Sequence, residues 1–164
     1  MQNVLISACL LGEPVRPTGG NVLTEHEILV RWKSEGRLVS VCPELAGGLA
    51  VPRPPAEIFN GTGIDVLENN TNVFNNAGKN VTKEFIAGAN HALTLAQTNH
   101  CKIAILTEKS PSGGSSVTYD GSFSGLLRTG SGVTTALLQQ HNIRVFNQHQ
   151  LQEAERYLQQ IELS

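Results

Sequence analysis

NVLISACLLG, residues 3–12, decides the architecture. From Asn3 to Ala8 the stretch is apolar almost without a break. A short continuous apolar run reads as a parallel strand covered on both faces, whereas a half-exposed strand alternates. Three later runs share its character: Leu38 to Val41 (LVSV), Lys102 to Leu106 (KIAIL) and Ile143 to Phe146 (IRVF). Between them the apolar spacing becomes helical. Leu23 to Glu35 opens with Thr24 and Glu27 as a capping box and stops at Gly36. Val81 to Thr98 sets Phe85, Ala89, Ala92 and Ala96 along one face, with Ile86 and Leu93 beside them. Val133 to His141 and Leu151 to Leu163 repeat the pattern, the latter through Leu151, Ala154, Leu158 and Ile161. Strands alternating with helices predict an α/β domain with a mainly parallel sheet.

The chain has 164 residues, which fits one domain, 1–164, and shows no internal repeat or dividing linker. At this length about 70% of the unfolded surface is buried on folding, enough for a core without disulfides. An apolar content of 40% with 16% charged residues excludes a largely disordered or fibrous chain. Net charge is −2, so there is no basic surplus to hold a phosphate backbone, and no nucleic-acid partner is expected. No apolar run is long enough to cross a membrane, and no basic residue precedes the first one as in a secretory signal. Cys9, Cys42 and Cys101 are odd in number and widely spaced, as in a protein of the reducing cytoplasm. The Asn- and Gly-rich stretch 60–80 reads as a surface loop or small hairpin built on Val66-Leu67 and Val73-Phe74.

Ligands of open α/β sheets bind beyond the carboxyl ends of the strands. Here the first run leads into Cys9, the second into Cys42-Pro43-Glu44, and the third into Glu108-Lys109-Ser110-Pro111-Ser112-Gly113-Gly114-Ser115-Ser116. Parallel neighbours would gather two thiols, a carboxylate and a Ser/Gly loop into one cleft. Thiolates there suit soft metals, iron–sulfur clusters or nucleophilic attack, and the loop offers backbone N–H groups to an anion. Plainer readings stand beside these: a buried cysteine is a small hydrophobe, and Ser-Pro-Ser-Gly-Gly is an ordinary turn. Arg53 and Glu57 follow Glu44 closely on a path stiffened by Pro52, Pro54 and Pro55, and are expected at the cleft wall. Cys101 begins its strand, which puts it roughly 15–20 Å from the Ser110 tip and in a structural role. The histidines His26, His91, His141 and His149 lie on or beside helices and are expected to be solvated.

Several of these segments together resemble a bacterial family, long called a domain of unknown function, that includes thiouracil desulfidases. The resemblance runs through Ser7-Ala8-Cys9-Leu10-Leu11-Gly12, Val15-Arg16, Val41-Cys42-Pro43-Glu44, Gly47-Gly48-Leu49 and Pro52-Arg53-Pro54-Pro55-Ala56-Glu57. It continues in Ser110-Pro111-Ser112, Tyr119-Asp120-Gly121-Ser122-Phe123-Ser124-Gly125 and Gly132-Val133-Thr134. It implies a Rossmann-like fold and, in the desulfidase branch, a 4Fe–4S cluster on three cysteines with one iron open to the sulfur of a thiolated substrate such as 2-thiouracil. It further implies Cys9 and Cys42 as metal ligands, and Glu44 and Ser110 as catalytic proton-handling groups. Arg16, Arg53, Glu57 and Ser112 are then expected to contact the substrate, a small molecule. The family pattern Ser-Pro-Ser-Cys-Gly here reads Ser110-Pro111-Ser112-Gly113-Gly114, so the third ligand is missing. Pro17-Thr18 also replaces the aromatic and polar pair usual after Arg16. The expectation is a desulfidase-like protein with an impaired cluster site. The alternatives are a metal-free small-molecule-binding module, or an enzyme using Cys9 or Cys42 as a nucleophile.

Overall fold

A computed structural model describes residues 1–20 and 23–163. Its centre is a four-stranded parallel sheet of β1 (Val4–Ser7), β2 (Leu38–Val41), β5 (Ile103–Leu106) and β8 (Arg144–Asn147), in the order β2-β1-β5-β8. The fold is Rossmann-like α/β. All four residues of β1 and all four of β5 are buried, as strands covered on both faces require. Successive side chains point to opposite faces, so one sheet builds two cores. Leu5, Ala104 and Val145 face α4 (Thr82–Thr98) and α5 (Val133–Gln140). Val4, Ile6, Ile103, Ile105 and Phe146 face α1 (Glu27–Ser34) and α6 (Leu151–Glu162), where Trp32 and Leu158 are buried. Among the described residues no helix is long and apolar enough to cross a membrane.

Two sequence expectations differ from the structure. The first helix begins at Glu27, with His26 as its N-cap accepting from the Ile28 N–H through Nδ1, so Thr24 and Glu27 form no capping box. The imidazole nitrogen does the capping work expected of a hydroxyl. Of the two readings of 60–80, the surface loop does not hold and the small hairpin holds only in part, since Val73-Phe74 lies in an antiparallel strand but Val66-Leu67 in a helix. The stretch contains α3 (Gly63–Leu67), capped by the reciprocal Thr62–Asp65 box, and β4 (Val73–Asn75), which pairs antiparallel with β3 (Ala56–Ile58). Val66 and Val73 are fully buried: two apolar side chains in the core outweigh the local turn preference of the Asn and Gly residues around them.

A second small sheet, β6 (Val117–Tyr119) with β7 (Leu127–Thr129), follows the loop after β5. The loop that precedes it is tied to the start of α5, and that in turn to α3, by a column of close backbone approaches. A Cβ on Gly63 would stand 2.1 Å from the Gly132 carbonyl oxygen, and one on Gly132 would stand 2.4 Å from that of Ser112. The hydrogen bonds Val133 N to Pro111 O, Thr135 N to Ser112 O and Thr135 Oγ1 to Gly113 O complete the seam.

Candidate functional site

Because β1 lies between β2 and β5, the tips of these three strands are adjacent, within about 10 Å of one another. Each tip delivers a reactive group. After β1 the chain tightens into a 3-10 helix, Ala8–Leu11, which carries Cys9. After β2, Cys42 is the N-cap of the short helix α2 (Pro43–Ala46); Pro43 occupies the first helical position, where no N–H is needed, and Glu44 falls in the first turn. After β5 come Thr107, Glu108 and the loop to β6.

These tips enclose a cavity of about 440 Å³. Cys9, Cys42, Glu44, Ser110, Ser112, Arg16, Arg53 and Glu57 all line it, and so does Gly113; Gly114 does not. Cys101 is elsewhere, buried under α4, where desolvation pushes its thiol up to about 11. Thr107, Tyr119, Gln148 and His149 also line the cavity, and the sequence reading assigned them no site role. His149 is exposed, as expected, but stands at the cavity mouth. The rule of strand tips extends to them: Gln148 and His149 directly follow β8.

Glu44 is held at both ends. Arg53 Nε donates to its Oε1 at 3.1 Å, and the Ser112 hydroxyl donates to Oε2 at 3.3 Å. Arg53 is itself fixed by the carbonyl oxygens of Ala50 and Val15. Ser110 Oγ accepts the N–H groups of Ser112 and Gly113, which leaves its hydrogen free to point elsewhere. Cys9 Sγ lies 3.1 Å from Thr107 Oγ1. Burial raises the Cys42 thiol above its ordinary value, and the Glu44 charge adds to this; a Leu45 backbone hydrogen bond and Arg53 oppose it. A raised thiol is a poor nucleophile near neutrality, which weighs against Cys42 as one.

The Ser/Gly loop offers no open N–H cradle for an anion, contrary to the sequence expectation. The N–H groups of Ser112, Gly113 and Gly114 are taken by Ser110, the first two by its hydroxyl oxygen and the third by its carbonyl oxygen, and those at the two ends of the loop are taken by Glu108. Oε1 accepts the N–H groups of Lys109, Ser115, Ser116 and Val117; Oε2 accepts the Ser115 and Ser116 hydroxyls and Asn147 Nδ2. Burial opposes the charge on Glu108, but hydrogen bonds from Ser116, Lys109 and Ser115 outweigh it and hold the carboxyl at about 2. A single carboxylate thus closes both ends of the loop.

Two thiols face the cavity, and among the described residues no group of three His, Cys, Asp or Glu is placed to hold a metal ion. Position 113 cannot add a ligand as it stands. Its backbone has closed on β5 so far that a Cβ would stand 2.9 Å from Leu106 Cβ and 3.2 Å from the Thr107 carbonyl oxygen. A cluster that needs three protein thiolates does not fit these side chains.

The sequence profile of the 2-thiouracil desulfurase family matches residues 4–150. The uncharacterized protein YbbK of Bacillus subtilis (strain 168) is 41% identical over 148 residues, covering 90% of this chain and 97% of its own. A solved structure described as the [4Fe-4S]-dependent thiouracil desulfidase TudS superposes with a TM-score of 0.89 at 42% identity, over 97% of this chain and 99% of that one.

Proposed function

Because the chain belongs to the 2-thiouracil desulfurase family, we propose that its cavity binds a thiolated pyrimidine or a similar small heterocycle, in a desulfidase-like site whose iron–sulfur centre is impaired. The observation that carries this reading is the gathering of Cys9, Cys42, Glu44, Ser110 and Ser112 around one cavity, with Gly113 in the same lining. A volume of about 440 Å³ suits a small ligand. Glu44, oriented by Arg53 and Ser112, is the group that moves a proton, and Ser110 is the hydroxyl that donates to the ligand. Arg16 and Ser112 are further contacts, and Cys9 and Cys42 supply two soft donors for whatever metal is taken up.

A second reading, a binding module without metal, is favoured by the donor count of two thiols. One experiment separates them. After anaerobic isolation, iron and acid-labile sulfide are measured per chain, and binding of 2-thiouracil and sulfide release are followed on the same sample. The expected result is saturable binding with iron well below four per chain and little sulfide release. Four irons per chain with rapid release would overturn the impaired site. Binding with no iron at all would select the module. Failure of any thiolated pyrimidine to bind would overturn the assignment of the ligand.

A further inference from the structure

We propose that Glu57 recognises a ring N–H of the heterocycle through its Oε2 oxygen, and so sets which nitrogens of the ligand must carry hydrogen. This rests on the reading of the cavity as a site for a thiolated pyrimidine. Such a ring carries N–H donors beside its C=S group. Once the ring leaves water, an N–H without an acceptor is costly, so the cavity must supply one.

Three carboxylates line the cavity: Glu44, Glu57 and Glu108. Glu108 is consumed by the loop it closes, as described above. Both oxygens of Glu44 are engaged, one by Arg53 and one by Ser112. Glu57 is different because its two oxygens have different fates. Oε1 accepts the Gly121 N–H at 3.0 Å and the Phe123 N–H at 3.2 Å, while Oε2 accepts from no described residue.

The two bonds to Oε1 do more than satisfy it. They fix the carboxylate against the turn after β6, and the pairing of Glu57 with Phe74 fixes its backbone in β3. An acceptor held in place loses little freedom when a ligand arrives, which is the general advantage of preorganisation. A site built to accept an N–H also rejects the analogue that lacks it, because the acceptor is then left buried and unpaired.

The test measures binding of 2-thiouracil, 1-methyl-2-thiouracil and 3-methyl-2-thiouracil to the full chain and to Glu57→Gln, by equilibrium dialysis with thiocarbonyl absorbance as the readout. The unmodified chain is expected to bind the parent at least tenfold more tightly than one of the two methylated rings. In Glu57→Gln an amide oxygen can still hold the Gly121 and Phe123 N–H groups, but an NH2 now meets the ring N–H. The parent is then expected to weaken tenfold or more, and the preference over the methylated ring to fall below threefold. Mere loosening of the turn would weaken all three ligands alike and leave the ratio unchanged; that result overturns the proposal. So does a chain that, with Glu57 intact, binds the three rings equally, a measurement that needs no variant to fold. Failure of the unmodified chain to bind 2-thiouracil, and then any other thiolated pyrimidine, is a distinct outcome that overturns the reading of the cavity itself.

Discussion

Arg53 holds Glu44 by a 3.1 Å bond from Nε to Oε1, with the two side chains only 6% and 13% exposed. A pair this deep does not behave as a surface salt bridge. Removing Arg53 leaves the buried Glu44 charge with only the Ser112 hydroxyl as partner. Arg53→Met is therefore expected to destabilise the protein by on the order of 3 kcal/mol and to weaken 2-thiouracil binding. Arg53→Lys keeps the charge but cannot span Glu44, Ala50 O and Val15 O at once, so it should recover stability in part and binding less. Thermal unfolding alongside dialysis checks both; unchanged stability in Arg53→Met would show that the pair contributes nothing.

Gly113→Cys adds a third thiol to the lining of the cavity. Iron and acid-labile sulfide per chain are expected to rise above those of the unmodified protein. The obstacle is crowding against Leu106 and Thr107, since φ at Gly113 lies outside the left-handed region. Overpacking of this kind costs about 1–3 kcal/mol, so the melting temperature should fall while iron content rises. Iron no higher than in the parent would mean that more than one residue separates this site from an intact centre.

Glu108 links the loop to pH. Its carboxyl sits at about 2 in the folded protein against the usual 4.5, so the stability it contributes is complete above about pH 4.5 and is lost as pH falls toward 2. Discounted for the water around this partly exposed group, the loss is on the order of 1–2 kcal/mol. In Glu108→Gln the stability profile between pH 4.5 and 2 should be flatter than in the parent. Chemical denaturation at steps of pH provides the comparison, and parallel profiles would refute the role given to Glu108.

The three cysteines should separate by alkylation. Cys101, buried and pushed up to about 11, is expected to be inert in the native state at pH 8. Cys9 and Cys42 line the cavity and should be shielded by saturating 2-thiouracil. Cys42 should react slowly near neutrality and faster as pH rises, because its thiol lies above the ordinary value. Peptide mapping after timed quenching reads all three; labelling of Cys101 at the rate of Cys42 would contradict the buried placement.

The central strands were legible because their signal is local: a nearly continuous apolar run such as that of Val4 to Ser7 has few other uses. So was the placement of Cys9, Cys42 and Glu44 at neighbouring tips, which follows from parallel order alone. The helix at Gly63–Leu67 was not legible, because it is five residues long and stabilised by burial of Val66 rather than by propensity. The closed state of the Ser/Gly loop was hidden for a similar reason. Nothing local says that Glu108 folds back onto Ser115 and Ser116, or that Asn147, 39 residues on, meets the same carboxylate. Thr107 beside Cys9 is likewise a contact across 98 residues.

The column of backbone contacts through Gly63, Gly132 and Ser112 makes the cavity wall a rigid extension of a helix on its far side. Gly63 does not line the cavity, yet a methyl group there would meet the Gly132 carbonyl, and Gly132 in turn packs closely on Ser112, which does line it. Tolerance to change in this protein therefore does not decline smoothly with distance from the ligand. Side chains at the rim can be exchanged while the frame stands, whereas a remote residue that meets no ligand is as unforgiving as one that does.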